Sequence, residues 1–368
     1  MKLLRDRYWA VLLAGGQGER LWPWSRRAVP KQFLTIMGRR SLLQAAYARV
    51  TRLVPRDQVY VIGNAAHAPL IRRQLPGLPR RRLVGEPMGR NTAAAVGLGA
   101  LLIGREDPGA VMLVATADQV IEPAAGWIDC VRAAAQVATE DVDRLVCIGI
   151  PPTSPVTGYG YLVPARGRRR IRGHRLWAAP LAQYVEKPSR AVAQRLIRRG
   201  AFWNSGMFVW SVPAIARALQ RNLPQVIRAL VTMMHAEVGT PAFAAQLRRA
   251  YRRLPSISID DGVMETAPDR WMVSAPFTWD DVGSWASLWR HLPRDRDGNA
   301  VRGLHAGLET RDTLVFGEPG HLIGTIGVHD LIIVQQGDTT LVAHRSRAQQ
   351  VRRLVACCQE EPAWRQYL

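Results

Sequence analysis

Short apolar runs alternate with stretches of helical periodicity along the first 150 residues. Apolar runs bounded by glycine or polar residues predict buried strands over 8–14, 59–62, 110–115 and 145–150. Apolar side chains that recur every three to four positions predict helices over 42–54, 91–103 and 124–139. This alternation indicates an α/β fold with a Rossmann-like, mostly parallel mixed sheet and helices on both faces. In such sheets a ligand lies beyond the carboxyl ends of the strands.

The pattern changes after about residue 290. Residues 293–299 form a polar, turn-rich linker. Short β-type runs follow at 313–316, 322–326, 331–334 and 340–342, and an arginine-rich helix is expected at about 346–356. We therefore predict two domains, a large one over 1–290 and a small β-rich, solenoid-like one over 291–368.

Composition and charge narrow the class of protein. Hydrophobic residues make up 48% and charged residues 21% of the 368 residues, which excludes an intrinsically disordered chain. The formal net charge of +21 favours phosphate-bearing partners, whether nucleotide, nucleic acid or membrane surface. The densest basic run, 166–175, has no interleaved aromatic residues, and the remaining basic charge is dispersed. We therefore expect no nucleic-acid partner.

Neither a membrane span nor a disulfide framework is expected. No apolar stretch approaches the ~18 residues that a membrane span needs, and charges interrupt the apolar runs of residues 1–7, which argues against a signal peptide. The cysteines form no CxxC pair and are expected to be thiols. We predict a cytoplasmic protein without a membrane partner.

A glycine-rich loop follows the first predicted strand. Its glycines let the backbone approach a ligand closely and turn N–H groups toward anionic oxygens. The positions concerned are Ala14, Gly15, Gly16 and Gly18. Arg20 and Lys31 add positive charge, and Lys31 stands out because the chain has only three lysines among its 50 basic residues. The glycine order fits neither a P-loop nor a dinucleotide-binding fingerprint, so we expect a triphosphate-binding loop of another kind.

Together with this loop, six later segments resemble one enzyme family. In chain order the segments are LAGGQGERLWPWSR with PKQF (13–33), EPMGRNTA (86–93), TGYGY (157–161), VEKP (185–188), WNSGMF (203–208), SID (258–260) and WDDVGSW (279–285). This combination, over roughly residues 9–290, resembles the sugar-nucleotide pyrophosphorylases and specifically the bacterial mannose-1-phosphate guanylyltransferases. The C-terminal segment is similar to the short left-handed β-helix that follows the catalytic domain in that family.

The resemblance implies a reaction in which a mannose 1-phosphate oxygen attacks the α-phosphorus of GTP and releases pyrophosphate. Such chemistry needs alignment and charge neutralisation rather than a protein nucleophile. Asp118 and Asp281 match the family's metal-binding aspartates and are expected to hold Mg²⁺, and the neighbouring Asp280 is easily confused with Asp281. The expected catalytic cations are Arg20, Lys31 and Lys187. A homodimer is also expected.

Residues of later motifs are expected to contact the sugar. Glu186 is an acceptor for hydroxyls and Lys187 a cation for the sugar phosphate. Adjacent strand residues face opposite sides, so both can serve one ligand only if the chain bends there, which Pro188 favours. Asn204 can donate and accept hydrogen bonds at once, and Gly158 allows close passage of the sugar.

Three residues of the EPMGRNTA segment are expected near the base. Glu86, Arg90 and Asn91 either read the guanine edge or hold the loop that does. A helix cap at Asn91 and Thr92 is the structural alternative.

One position departs from the family pattern. The family usually shows Pro-Ala/Ser-Asp-His where this chain has Thr116-Ala117-Asp118-Gln119. Glutamine cannot carry a charge or titrate as histidine does, so we expect retained activity with altered metal affinity or pH dependence. Other readings are the same chemistry on another sugar 1-phosphate or nucleotide, a non-catalytic regulator that binds a sugar nucleotide, and, ranked last, a nucleic-acid-binding protein.

Overall fold

The chain forms two compact units in a computed structural model that describes residues 7–16, 18–233 and 235–368. Residues 1–6, which the signal-peptide expectation concerns, and Gln17 of the glycine-rich loop lie outside the described residues. The first unit comprises residues up to Gly15, Gln44–Ala117 and Ile121–Trp279. The second comprises Gly16–Leu43, Asp118–Val120 and Asp280–Leu368. The predicted domain boundary near residue 290 stays a prediction.

Strands and helices alternate through the first 150 residues, as the apolar pattern predicts. The strands up to residue 280 are β1 (Tyr8–Ala14), β2 (Val59–Asn64), β3 (Leu83–Glu86), β4 (Val111–Thr116), β5 (Val120–Glu122), β6 (Leu145–Ile150), β7 (Tyr161–Pro164), β8 (Arg169–Arg170), β9 (Trp177–Val185), β10 (Phe202–Ser211), β11 (Arg270–Ser274) and β12 (Thr278–Asp280). The helices are α1 (Leu42–Val50), α2 (Ala68–Gln74), α3 (Asn91–Glu106), α4 (Ala124–Ala138), α5 (Arg190–Arg198), α6 (Val212–Asn222), α7 (Pro224–Val231) and α8 (Pro241–Arg253).

The main sheet is mixed. Within the described residues, ten strands form it in the order β3-β2-β1-β4-β10-β6-β11-β9-β7, with β8 paired to β9. β1 is parallel to β2 and β4, and β2 to β3, whereas β10 is antiparallel to β4 and β6, and β9 to β7 and β11. Parallel pairing thus prevails in the β1–β4 half, and the rest differs from the mostly parallel sheet that the sequence predicts. The reason is that strands after residue 160 lie outside the strand–helix alternation, and antiparallel neighbours need no crossover helix.

The parallel half of the sheet brings strand ends that carry polar groups to one edge. β1 ends at Ala14 and β3 ends at Glu86, beside Asn64 at the end of β2. The strands between these ends are buried on both faces, with Val11 and Ile62 fully buried. The apolar strand interiors therefore leave their chemistry to the carboxyl ends.

The second unit contains the remaining strands and helices. They are α9 (Trp285–Trp289), β13 (Ala300–Arg302), β14 (Leu304–Leu308), β15 (Leu314–Phe316), β16 (Leu322–Ile326), β17 (Leu331–Gln336), β18 (Thr339–His344) and α10 (Val351–Glu360). A 3₁₀ segment, Arg345–Gln350, precedes α10, so the α-helix begins later than the predicted residue 346.

Successive coils of this segment stack in parallel. Leu304 pairs with Leu322, Arg311 with His329, and Leu314 with Ile332. In each case the partner lies 18 residues further along the chain, so one coil takes 18 residues. A constant coil length with parallel stacking is the geometry of a β-solenoid, which confirms the predicted β-rich, solenoid-like segment.

Membrane-spanning segments were sought among the helices. Of those in the described part of the chain, none is long and apolar enough to cross a bilayer. The cytoplasmic location stays a prediction.

Candidate functional site

A buried lysine in the second unit binds oxygen atoms of two aspartates. Lys31 Nζ lies 2.9 Å from Asp118 Oδ2 and donates a hydrogen bond to the Asp281 carbonyl. Lys31 is only 4% exposed. A buried ammonium needs close oxygen partners, so this contact keeps Asp118 and residue 281 together.

Arg20 belongs to the same cluster. The backbone N–H of Gly283 donates to Asp281 Oδ1 at 3.0 Å. A Cβ placed on Gly283 would lie 2.5 Å from Asp281 Oδ2 and 3.0 Å from Arg20 Nη2. Both side chains therefore approach the glycine closely, and Arg20 and Lys31 bring two cations to two carboxylates. We call Arg20, Lys31, Asp118 and Asp281 the charged cluster.

The two adjacent aspartates of the WDDVGSW motif have different partners. Asp280 is 6% exposed, and its Oδ2 lies 2.7 Å from Arg290 Nη2 and 3.0 Å from His291 Nε2. Its other oxygen accepts from the Val282 N–H at 2.7 Å. Hydrogen bonds to Arg290, His291 and Val282 hold the pKa of Asp280 below its usual range despite burial. Asp280 thus braces the loop, and Asp281 faces the cluster.

The backbone at Val282 is strained. Its φ is +43°, in a region that β-branched residues rarely adopt, and its side chain is fully buried. Such conformations persist where the surroundings force them, and they concentrate at functional loops. The bond from Val282 to Asp280 and the buried side chain supply that constraint.

The glycine-rich loop passes directly over Lys31. Gly18 has φ +68°, and a Cβ at this position would collide with the Cβ of Lys31. Only glycine satisfies both demands. By contrast, a Cβ on Gly16 would meet no described atom within 4 Å, so this part of the loop is open.

The charged cluster has the donors that a hard divalent cation prefers. Asp118 and Asp281 supply carboxylate oxygens, and the Asp118 side chain is 36% exposed. Within the described residues, no group of three or more His, Cys, Asp or Glu is arranged to hold a metal ion. Mg²⁺ typically takes one or two carboxylates and completes its shell with water and substrate phosphate, so two carboxylates fit such an ion.

Glu86 in the first unit is a buried carboxyl at the end of β3. It is 8% exposed, its Oε1 accepts from Tyr251 Oη at 3.1 Å, and a Cβ on Gly15 would lie 3.4 Å from its Oε2. Burial raises the pKa of Glu86 to about 7, although the hydrogen bond from Tyr251 lowers it. Glu86 therefore titrates near neutrality.

The other two residues expected near the base are engaged with protein groups. Arg90 Nε donates to the Tyr251 carbonyl at 2.8 Å. Asn91 has φ +60° and its Oδ1 accepts from the Thr92 N–H at 2.9 Å. Thr92 Oγ1 in turn accepts from the Ile259 N–H at 2.8 Å. These contacts are of the loop-holding kind among the two roles that the sequence left open.

A second polar cluster of the first unit surrounds Asn204. Its Nδ2 lies 2.6 Å from Tyr184 Oη and 2.9 Å from Asp260 Oδ1, and Tyr184 Oη donates to the same Asp260 oxygen at 2.6 Å. Burial and the nearby Glu186 raise the pKa of Asp260 to about 6, against the hydrogen bonds from Tyr184 and Asn204. We call Asn204, Tyr184, Asp260 and Glu186 the amide cluster.

The chain bends at Lys187, as the expected use of adjacent residues requires. β9 ends at Val185, and Lys187 has φ +41°. Its Nζ lies 2.6 Å from Glu186 Oε1, so both side chains are on one side. A Cβ on Gly160 would lie 2.5 Å from Glu186 Oε2, whereas a Cβ on Gly158 would meet nothing within 4 Å. Gly160, not Gly158, is the glycine that the amide cluster approaches.

Three polar residues of these clusters were absent from the expected site. Asp260 lies in the SID segment, which marked it as part of a motif without indicating a role. Tyr184 and Tyr251 lie outside the quoted segments, and no local pattern distinguishes them from core tyrosines. Their partners are distant in sequence, with Tyr251 and Glu86 separated by 165 positions.

Comparison with known proteins identifies the family. Residues 9–298 match the Nucleotidyl transferase family, and residues 303–357 match the MannoseP isomerase/GMP-like beta-helix domain. The chain is 35% identical over 348 residues to a mannose-1-phosphate guanylyltransferase of Klebsiella pneumoniae, over 94% of this chain and 72% of the relative. It is 36% identical over 358 residues to a protein of the same name from Escherichia coli strain K12, over 96% of this chain and 74% of the relative.

A solved structure agrees with the sequence relatives. A crystal structure described as mannose-1-phosphate geranyltransferase from Thermus thermophilus matches with a TM-score of 0.84 and 33% identity, over 96% of this chain and 99% of that chain. The chain thus has a nucleotidyltransferase-like α/β fold with a C-terminal β-helix-like segment. It belongs to the nucleotidyl transferase family and, within it, to the mannose-1-phosphate guanylyltransferases.

Proposed function

We propose that this protein transfers the GMP group of GTP to α-D-mannose 1-phosphate, giving GDP-mannose and pyrophosphate. Membership of the mannose-1-phosphate guanylyltransferases supports the two substrates. The observation that carries the chemistry is the contact of Lys31 with both Asp118 and residue 281. The reaction is an in-line attack of a sugar-phosphate oxygen on the α-phosphorus, so the chain's task is to align the phosphates and balance their charge.

The charged cluster is proposed to act on the triphosphate. Arg20 and Lys31 neutralise phosphate oxygens, and the burial of Lys31 strengthens its effect because water screens it less. Asp118 and Asp281 hold a divalent cation, which nucleotidyltransferases of this family generally use and which we propose to be Mg²⁺. When bound, such a cation withdraws negative charge from phosphate oxygens and orients them.

The glycine-rich loop and the end of β3 are proposed to bind the rest of the nucleotide. Backbone N–H groups of the loop donate to phosphate oxygens. The loop residues concerned are Ala14, Gly15, Gly16 and Gly18. Guanine presents N–H donors at N1 and N2, and the Glu86 carboxylate is an acceptor suited to them. Arg90 and Asn91 shape the segment that carries Glu86, as their contacts with protein groups support.

The amide cluster and its neighbours are proposed to bind the sugar. Asn204 and Glu186 hydrogen-bond sugar hydroxyls, and Lys187, whose side chain is 66% exposed, binds the sugar phosphate. Gly158 leaves room for the ring. The bend at Lys187 supports the joint use of Glu186 and Lys187.

The proposal is tested by pyrophosphate release from purified protein with Mg²⁺, four nucleoside triphosphates and a panel of sugar 1-phosphates. We expect turnover with GTP and mannose 1-phosphate. Turnover with a different pair would transfer the same chemistry to another substrate. Absence of turnover with every pair, in protein that binds GDP-mannose, would favour a non-catalytic regulator.

We also propose a homodimer that forms through the outer face of β14 and β16. Large apolar side chains on this face are more than half exposed, namely Leu304, Leu308, Leu322 and Ile326. They face each other in register across the two parallel strands, with Ala306 opposite Gly324 between them. The strip itself carries no charge although the chain has a net charge of +21, so a second copy offers a matching surface without charge repulsion at the contact.

The oligomeric state tests the homodimer. Light scattering of the wild-type protein should give twice the chain mass, and Leu322→Asp should give the chain mass. Val142→Asp is a matched control, because Val142 is an exposed apolar residue of the first unit. A monomeric wild type, or a dimeric Leu322→Asp, would contradict the proposal.

A further inference from the structure

Arg90 binds the end of a helix. Its Nε donates to the Tyr251 carbonyl at 2.8 Å, and its Nη2 lies 3.4 Å from the Arg252 carbonyl. Both carbonyls belong to the last turn of α8, which ends at Arg253. Carbonyls in a last helical turn lack intrahelical partners, and a cation there is favourable. The guanidinium therefore anchors the C-terminal end of α8 and with it Tyr251.

Tyr251 carries this anchor to Glu86. Its hydroxyl donates to Glu86 Oε1 at 3.1 Å, and the tyrosine ring is fully buried. Burial and the neighbouring Glu86 raise the pKa of Tyr251 well above its usual range, so the hydroxyl keeps its proton and remains a donor. The other carboxylate oxygen, Oε2, is the one that a side chain at Gly15 would approach to 3.4 Å. Gly15 follows the end of β1, in the loop proposed to bind the nucleotide.

We propose that Tyr251, anchored by Arg90, is a positioning residue that holds Glu86 as an oriented carboxylate and thereby sets the preference for guanine. The inference rests on the proposed guanylyl transfer and adds to it a residue outside the recognised motifs. It also assigns Arg90 to the support of Glu86 and not to the base.

Base chemistry explains why such support matters. Guanine presents donors at N1 and N2, which a carboxylate accepts, whereas adenine presents an acceptor at N1, which a carboxylate repels. A protonated Glu86 carries a hydrogen on one oxygen and loses part of this discrimination. Among the influences on its pKa, burial favours protonation and the Tyr251 hydroxyl opposes it. Loss of that hydroxyl therefore makes Glu86 neutral over a wider pH range and leaves its orientation free.

The test compares Tyr251→Phe with Tyr60→Phe. Tyr60 is a matched control because its buried hydroxyl also donates to a glutamate, Glu106, at 2.6 Å, and neither residue is part of the proposed site. Tyr251→Phe is expected to raise KM for GTP on the order of tenfold, with a smaller change in kcat, because one hydrogen bond to a charged group is removed. The ratio of kcat/KM for GTP to that for ATP should fall. Tyr60→Phe should leave both quantities unchanged.

The pH profile separates positioning from a general loss of structure. In the wild type, kcat/KM for GTP should rise with pH through about 7, as Glu86 ionises. In Tyr251→Phe the midpoint should move to higher pH, and in Glu86→Gln this step should vanish. The double variant Tyr251→Phe/Glu86→Gln should be no worse than Glu86→Gln alone, because both changes remove one function.

Each outcome has one reading. A wild type that is active with GTP, together with a Tyr251→Phe variant that keeps KM, base preference and midpoint, overturns the inference alone. A wild type inactive with GTP overturns the proposed function. If Tyr251→Phe does not fold, Arg90→Met and Arg90→Lys replace it, and the inference requires a raised KM and midpoint in Arg90→Met that Arg90→Lys partly restores.

Discussion

The Asn204 amide donates to the buried Asp260 carboxylate at 2.9 Å, across 56 positions of sequence. Tyr184 donates to the same oxygen at 2.6 Å. Asn204 thus has its amide nitrogen held by protein, and Asp260 sets the direction in which its carbonyl group points. The resemblance assigned Asn204 to the sugar, and the structure adds the carboxylate that orients it.

Asp260→Asn is expected to raise KM for mannose 1-phosphate by about tenfold and to leave KM for GTP within about twofold. The substitution turns one acceptor into a donor, so Asn204 or Tyr184 loses a partner, at a cost of about 1–3 kcal/mol. Steady-state kinetics with each substrate varied in turn measures both constants. Asp261→Asn is the matched control, because Asp261 is exposed and its carboxylate accepts from the nearby Ser258 hydroxyl. Equal effects of the two variants would contradict the positioning role.

Glu86→Gln is expected to raise the free energy of unfolding near pH 8 but not near pH 4. Burial raises the pKa of Glu86 from 4.5 to about 7, so the folded state retains a proton that the unfolded chain has released between these values. The stability that the protonated carboxyl contributes is complete below pH 4.5 and is lost as the pH rises through about 7. Glutamine stays neutral, so the difference should approach ~3 kcal/mol above pH 7.

Urea unfolding followed by circular dichroism at several pH values measures this difference. Other titrating groups are common to both proteins and cancel to first order. A difference between Glu86→Gln and the wild type that does not change between about pH 4 and pH 8 would show that Glu86 titrates normally.

Asp118→Asn and Asp281→Asn are expected to lower kcat at least about 100-fold and to raise the Mg²⁺ concentration needed for half-maximal activity. Each variant removes one of the two proposed carboxylate ligands and its charge. Asp280→Asn should act mainly on folding, because it breaks the buried pairs with Arg290 and His291, which typically costs about 3–5 kcal/mol. Mg²⁺ titrations and thermal melting separate the two effects. A Mg²⁺ requirement that changes most in Asp280→Asn would reverse the assignment of the two adjacent aspartates.

Gln119→His is expected to change the pH–rate profile or the Mg²⁺ requirement while activity is retained. Gln119 is 6% exposed and follows Asp118 directly, so a titratable ring at this position would lie next to a carboxylate of the charged cluster. Activity measured across pH and Mg²⁺ concentration tests this. An identical profile and metal requirement in the two proteins would show that residue 119 does not influence the metal-binding aspartates.

The local pattern predicted the elements of the first 150 residues well. Strand 145–150 has the predicted limits, and the helix predicted over 124–139 ends one residue earlier. The helix predicted over 42–54 ends at Val50 and continues as a turn. The arrangement of strands after residue 160 was beyond the pattern, because whether β10 joins the sheet parallel or antiparallel depends on which neighbours it meets, and not on its own sequence.

The sequence by itself determined the family and the residue types that carry charge, because motif order and the two retained lysines are local features of the chain. The tertiary structure alone decided which of these groups meet. It separated Asp280, paired with Arg290, from Asp281, and it brought Tyr251 to Glu86 and Asp260 to Asn204. The physical reason is that a side chain's environment, and hence its pKa and its role, is set by neighbours far along the chain, which no local pattern records.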